Sequence, residues 1–252
     1  MPIASMKTAL CGRIVFGASA VMYGVLLLMW RDPETAQNLQ HIWKLPFGSV
    51  IGWCIISALI AGGIGMQVPQ TMRLTSVVLG VVFVIFSLAT IPDILAASNI
   101  YDRYACSFFL FFSLVCGAVA LYAETEPNAA RAAMLGRLAR IGLGLCAVSF
   151  TLGQVILPHE TADLVPKWIP PSQMFWAVAT TIAFGLAAIA ILINRQARLA
   201  MGLMTLMLGL FGLLVWVPRV VSDPRQHFYW SEFALNFLIT GAAWMVAELR
   251  YI

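Results

Sequence analysis

Four polar side chains stand in or beside long apolar stretches: Gln154, His159, Glu232 and Asn236. Glu232 and Asn236 are four residues apart and so share one helix face, with His227 and Ser231 about one turn above them. A polar group at lipid depth is costly and needs a partner, which makes each of these a site by default. Amides, a carboxylate and imidazoles can hydrogen-bond to carbonyl oxygens and pass on protons, the chemistry that would hold a quinone. Two arrangements are open. If the helices carrying Gln154 and Glu232 are neighbours, the four groups converge on a polar pocket just below one surface. Otherwise Gln154 and Asn236 tie helices together, and Glu232 pairs with Arg219 or Arg225 among the lipid headgroups.

Other chemistries lack their residues. Cys11, Cys54, Cys106, Cys116 and Cys146 form no C-x-x-C and no spacing suited to zinc, haem attachment or an iron-sulfur cluster. They read as buried small hydrophobes. A Cys106–Cys116 disulfide would have to bridge about 15 Å along a helix, which disulfide geometry forbids. No Ser-His-Asp order, metal-spaced histidine pair or facing pair of haem ligands is present. Gly62-Gly63-x-Gly65 lacks the strand that precedes a dinucleotide loop, so it reads as close helix packing. The expectation is a protein with no tightly held cofactor, for which a quinone is the candidate ligand.

The elements that must position these groups follow from composition. Of 252 residues, 61% are hydrophobic and 10% charged, against about 25% charged in soluble domains. A net charge of +4 with no basic stripe excludes nucleic acid as a partner. The apolar residues fall in runs of about 18 to 22, each long enough to cross a hydrocarbon core. They predict eight helices, near 12–30, 47–66, 72–92, 104–123, 136–157, 172–193, 197–217 and 229–248. A short interfacial helix is expected within 33–43, and a connector from Glu124 to Arg137. The first run follows Lys7 but has no small-residue cleavage site, so it reads as a helix and not a signal peptide. With both termini cytoplasmic, that side collects about nine of the fifteen basic residues, as the positive-inside rule requires. His41, His159 and His227 then face outward. Trp30, Trp43, Trp168, Trp216, Tyr229 and Trp230 mark the outer interface.

The chain also repeats itself. Arg13-Ile14 opens the first helix as Arg140-Ile141 opens the fifth, and Trp43-Lys44-Leu45-Pro46 answers Lys167-Trp168-Ile169-Pro170. Arg73-Leu74 matches Arg198-Leu199, Ile91-Pro92 matches Val217-Pro218, and Ser107-Phe108-Phe109 matches Ser231-Glu232-Phe233. Four helices per copy give both copies the same orientation, about a pseudo-twofold along the membrane normal. The fold class expected is an all-α polytopic membrane protein of eight transmembrane helices in two parallel four-helix repeats, 1–126 and 127–252. Glu232, Asn236 and Gln154 align with Phe108, Phe112 and Leu27 of the first repeat. The polar set thus belongs to the second repeat alone, which favours a site there.

The repeat unit resembles the DoxX/DoxD-like family of small four-helix membrane proteins. The likeness rests on the arginine that opens the first helix of the unit, the Pro166-Lys167-Trp168-Ile169-Pro170 loop before the second, the Arg198-Leu199-Ala200 step into the third, and the fourth helix from Ser231 to Gly241. It covers about 136–250 directly and 12–124 only through the repeat. Members stand beside oxidoreductases, such as thiosulfate:quinone oxidoreductase. The resemblance therefore implies a noncatalytic or quinone-docking subunit in the bacterial inner membrane, with a soluble or membrane oxidoreductase as partner. A small-solute transporter or exporter, and a membrane assembly or interaction protein, are the alternatives.

Overall fold

The computed structural model describes residues 3–31, 39–99, 101 and 103–249, without the side chains of 3–9 and 103–106. Asp32, Glu34, Asp102 and Arg250, and the side chains of Lys7 and Cys106, lie outside the described residues. The described chain is all helical: α1 (Ile3–Met29), α2 (Leu39–Trp43), α3 (Gly48–Gly65), α4 (Met72–Ala89), α5 (Ile91–Ala96), α6 (Arg103–Thr125), α7 (Ala129–Ile156), α8 (Pro158–Leu164), α9 (Gln173–Leu192), α10 (Ala197–Phe211), a π-helical turn (Gly212–Trp216), α11 (Val217–Ser222) and α12 (His227–Ala247). Seven helical stretches are long and apolar enough to cross a membrane, which makes this a polytopic membrane protein. α12 is 21 residues long but is not among the seven. It carries Glu232 and Asn236, and it is the helix most enclosed by protein, with 11 of its 21 residues buried.

Local chemistry sets several boundaries. Pro92 and Pro218 each sit in the first turn of a short helix, where a missing N–H is harmless. The expected helix 72–92 is interrupted only at Thr90 and goes on as α5, and the expected helix 197–217 runs on through the π-helical turn to Ser222. Asn128 caps α7, its side chain accepting from Arg131 N at 3.1 Å, and Ser172 caps α9 by accepting from Phe175 N at 3.2 Å. Because the cap lies at Asn128, the alanine-rich segment forms the first turns of α7, and the expected connector from Glu124 to Arg137 shrinks to 126–128. Of the interfacial helix expected within 33–43, the described part is α2.

The helices form a closed circuit, each touching the next in the order α1, α3, α4, α6, α7, α9, α10, α12 and back to α1. α6 and α12 also touch across the middle, so the outline is a figure of eight. At that crossing a Cβ on Gly117 would lie 2.6 Å from the Ala242 side chain. Gly63 packs against Gly17, its Cβ position 2.5 Å from the Gly17 carbonyl, so the glycine cluster serves close helix packing. Cys116 and Cys146 are buried, whereas Cys11 and Cys54 are exposed, against the expectation of burial.

Both ends of the described chain lie on one face, which we call the chain-end face. There Arg140 of α7 donates to the Ile191 carbonyl near the end of α9, and Arg198 of α10 donates to the Leu249 carbonyl at 2.7 Å. Arg73 of α4 donates to Tyr122 at 2.9 Å and Glu126 at 3.1 Å, both near the end of α6. Guanidinium groups at helix C-termini are well placed to meet the last carbonyls and the negative end of the helix dipole. The opposite face is tied by His41 Nε2 to Asp93 Oδ2 at 2.7 Å, joining α2 to α5, and by Arg219 donating to the Asp163 carbonyl at 3.1 Å, joining α11 to α8.

Candidate functional site

α1 and α12 run antiparallel along a seam that can be followed from one face to the other. Near the chain ends, a Cβ on Gly12 would touch the Trp244 side chain at 3.0 Å, and one on Gly241 would meet the Phe16 backbone at 2.6 Å. These two glycines let the backbones approach closely. Farther along, the Tyr23 side chain is hydrogen-bonded to Ser231. At the far end Trp30 stacks on His227, centroids 4.0 Å apart and planes 10° from parallel. The seam thus changes from glycine packing in its first half to a polar, aromatic-capped assembly in its second. Tyr23 is only 3% exposed, so its hydroxyl needs the partner that Ser231 provides.

The neighbouring stripe of α12 faces the π-helical turn. Phe228 meets Trp216 edge-on at 6.2 Å, and two turns below it the Asn236 Oδ1 lies 2.7 Å from where a Gly212 Cβ would be. Glu232 falls between them at i, i+4, i+8 spacing. It is partly buried and close enough to Tyr23 to act on it electrostatically. Asn236 Oδ1 is buried with no hydrogen-bond partner among the described residues. The absence of a side chain at Gly212 gives that amide its room. In the wide turn, Val217 N donates to the Gly212 carbonyl, five residues back where an α-helix would use four.

Of the four residues singled out from sequence, Glu232 and Asn236 share this stripe. Gln154 is engaged elsewhere: its Oε1 accepts from Thr181 Oγ1 of α9 at 2.9 Å, and α7 packs mainly on α6 and α9 with only slight contact to α12. His159 is exposed on α8. Arg219 turns away from Glu232; besides its bond to the Asp163 carbonyl, it lies over the rings of Trp216 at 5.4 Å and Tyr229 at 6.0 Å. Sequence reasoning missed Tyr23, and it took Trp30 for an interface anchor alone. The signal for Tyr23 was a phenol in the middle of an apolar run, where a buried hydroxyl demands a partner.

The corresponding seam between α6 and α7 is built otherwise. There a Cβ on Gly142 of α7 would lie 2.6 Å from Cys116 Sγ and 3.4 Å from the Phe112 ring of α6, and on α6 Phe112 stacks on Phe108 at 5.9 Å with planes 14° apart while Phe109 packs edge-on against both. At Gly142 that seam offers a cysteine sulfur and an aromatic ring, with no carboxylate or imidazole among these contacts. The other holds a phenol, two hydroxyl-bearing or amide partners, a carboxylate and an imidazole inside an apolar wall, the composition of a small-molecule site that orients its ligand by a few polar groups. Compared with known proteins, the chain matches no family model, no curated protein and no solved structure.

Proposed function

We propose that this chain is an eight-helix protein of the bacterial inner membrane that docks a quinone at the outer half of the α1–α12 seam and serves as a noncatalytic subunit beside an oxidoreductase. Both termini are cytoplasmic in this reading, and the two repeats are the DoxX/DoxD-like units that 1–126 and 127–252 resemble. The matched packing of the halves supports the repeats. α1 lies on α12 as α7 lies on α6, α3 bridges α1 and α4 as α9 bridges α7 and α10, and α6 meets α12 at the centre.

The observation that carries the ligand reading is the polar set itself: Tyr23, Ser231 and Glu232 beneath the stacked Trp30 and His227, with Asn236 one turn deeper. A quinone needs donors for two carbonyl oxygens and an apolar slot for its tail. Tyr23 and the Asn236 amide are donors, and Glu232 and His227 are groups that exchange protons at the watery end of the seam. Gln154 and His159, which lie on α7 and α8 away from this seam, take no part in the docking. A photoreactive quinone tested on purified protein should label the outer half of α1 or α12, and an excess of unlabelled quinone should suppress that labelling. Labelling confined to α3, α4 or α6, or insensitive to competition, would refute the docking site.

A further inference from the structure

Two lipid-facing grooves of similar size differ in one respect. One, about 350 Å³, runs between α4 and α6 and is lined by Val77, Val81, Val84 and Val115, with Tyr122 at its chain-end mouth. The cation there is Arg73, which lies over the Tyr122 ring at 5.0 Å and is neutralised by Glu126. The other groove, about 310 Å³, runs between α9 and α10. Its floor is made of alanines, among them Ala183 and Ala187, and its walls include Leu186, Leu199 and Leu203. Those three leucines are each more than half exposed. Arg195 and Gln196 close it at the chain-end face. Arg195 is exposed, and its side chain has no hydrogen bond or ion pair among the described residues.

An alanine-floored channel that opens sideways, has leucine walls and ends in an unneutralised guanidinium at headgroup depth is complementary to one kind of molecule. We infer that the α9–α10 groove binds a phospholipid with an anionic headgroup, its acyl chain along the alanines and its phosphate at Arg195. The volume lies at the lower end of the range for small-molecule sites, about 300 to 1,000 Å³. The α4–α6 groove, with its arginine already paired, takes lipid without regard to headgroup charge. This inference needs neither the quinone nor the repeat, only the membrane embedding and the two grooves.

The test is native mass spectrometry of the full chain released from detergent with equal amounts of phosphatidylglycerol and phosphatidylcholine of matched acyl chains. The wild type should retain phosphatidylglycerol in preference. Arg195→Gln should reduce that preference about fivefold, the scale of one arginine at an anionic lipid surface. Arg195→Lys should keep most of it, and Ala183→Trp, which fills the channel from an exposed position, should lower retention of the preferred lipid. Arg131→Gln removes a charge from the same face at an exposed site outside the groove and should change nothing. No headgroup preference in the wild type, an equal loss in Arg131→Gln, or undiminished retention in Ala183→Trp would each overturn the inference.

Discussion

Glu232 of α12 aligns in sequence with Phe108 of α6, and the two side chains have different surroundings. Phe108 stacks on Phe112 inside an aromatic cluster, so Phe108→Ala should lower the amount of folded protein in the membrane; Phe→Ala typically costs about 3 to 5 kcal/mol in soluble cores, and a half-buried ring sits at the lower end. Glu232→Gln and Tyr23→Phe change a few atoms without opening a cavity. Both should leave abundance unchanged while reducing quinone photolabelling several-fold, as read by immunoblot beside probe incorporation. The reverse pattern would make Glu232 a structural residue and the aromatics dispensable. Glycines allow a second comparison. A Cβ at Gly241 would press on the Phe16 backbone, whereas nothing lies within 4 Å of one at Gly202. Gly241→Ala should therefore lower the melting temperature in detergent, on the scale of about 1 to 3 kcal/mol for overpacking. Gly202→Ala should raise it slightly, by up to about 1 kcal/mol of helix propensity.

At the scale of elements, the π-helical turn marks where the two halves part company. Arg73 and Arg198 are 125 residues apart, but Pro92 and Pro218 are 126 apart, so α10 and its continuation hold one residue more than α4 between matching points. A turn closed over five residues absorbs that extra residue locally and leaves both flanking segments in register. Deleting Leu213, which is 56% exposed on the lipid side, should restore an unbroken α-helix. The deletion variant should accumulate normally yet lose quinone labelling, because the Gly212 backbone that gives Asn236 its room would shift. Normal labelling would show that the wide turn is incidental. The sequence announced this only obliquely, as a drift in the repeat spacing. Its apolar runs located α1, α3, α4, α6, α7, α9 and α10 to within a few residues, except at the amino end of α1 and at α7, because lipid demands such runs. The repeat similarly pointed to Glu232 and Asn236. It had no bearing on which helix faces α12, since hydropathy records depth and not neighbours. The partner of Tyr23 and the Thr181 bond of Gln154 stayed invisible for that reason.

For the whole molecule, orientation and assembly are separately testable. A periplasm-active reporter should be active when fused after Asp163 or Asp223 and silent after Asn128 or Ile252, given the arginines gathered on the chain-end face. The opposite pattern would invert the protein. The figure-of-eight packing also fixes how the halves depend on one another. α1 rests on α12 and α7 on α6, whereas contact between α7 and α12 within the second half is slight. Segments 1–126 and 127–252, expressed together as separate chains, should copurify, and either one alone should be degraded. Stable accumulation of a lone half would show that its first helix has found another cover.

The same seam imposes an order on biosynthesis. α1 emerges from the ribosome before the other described helices and its principal partner, α12, after them, so the face bearing Tyr23 and Phe16 must wait while the helices α2 to α11 are made. Contacts between residues so far apart in the chain form slowly, because a long loop must close before they can. Until then the Tyr23 hydroxyl and the glycine notch at Gly12 are open to lipid or to a chaperone of the insertion machinery. Emergence of α12 is the moment at which the α1–α12 seam can close, and nascent chains arrested before His227 should crosslink through α1 to insertion factors that the folded protein no longer touches.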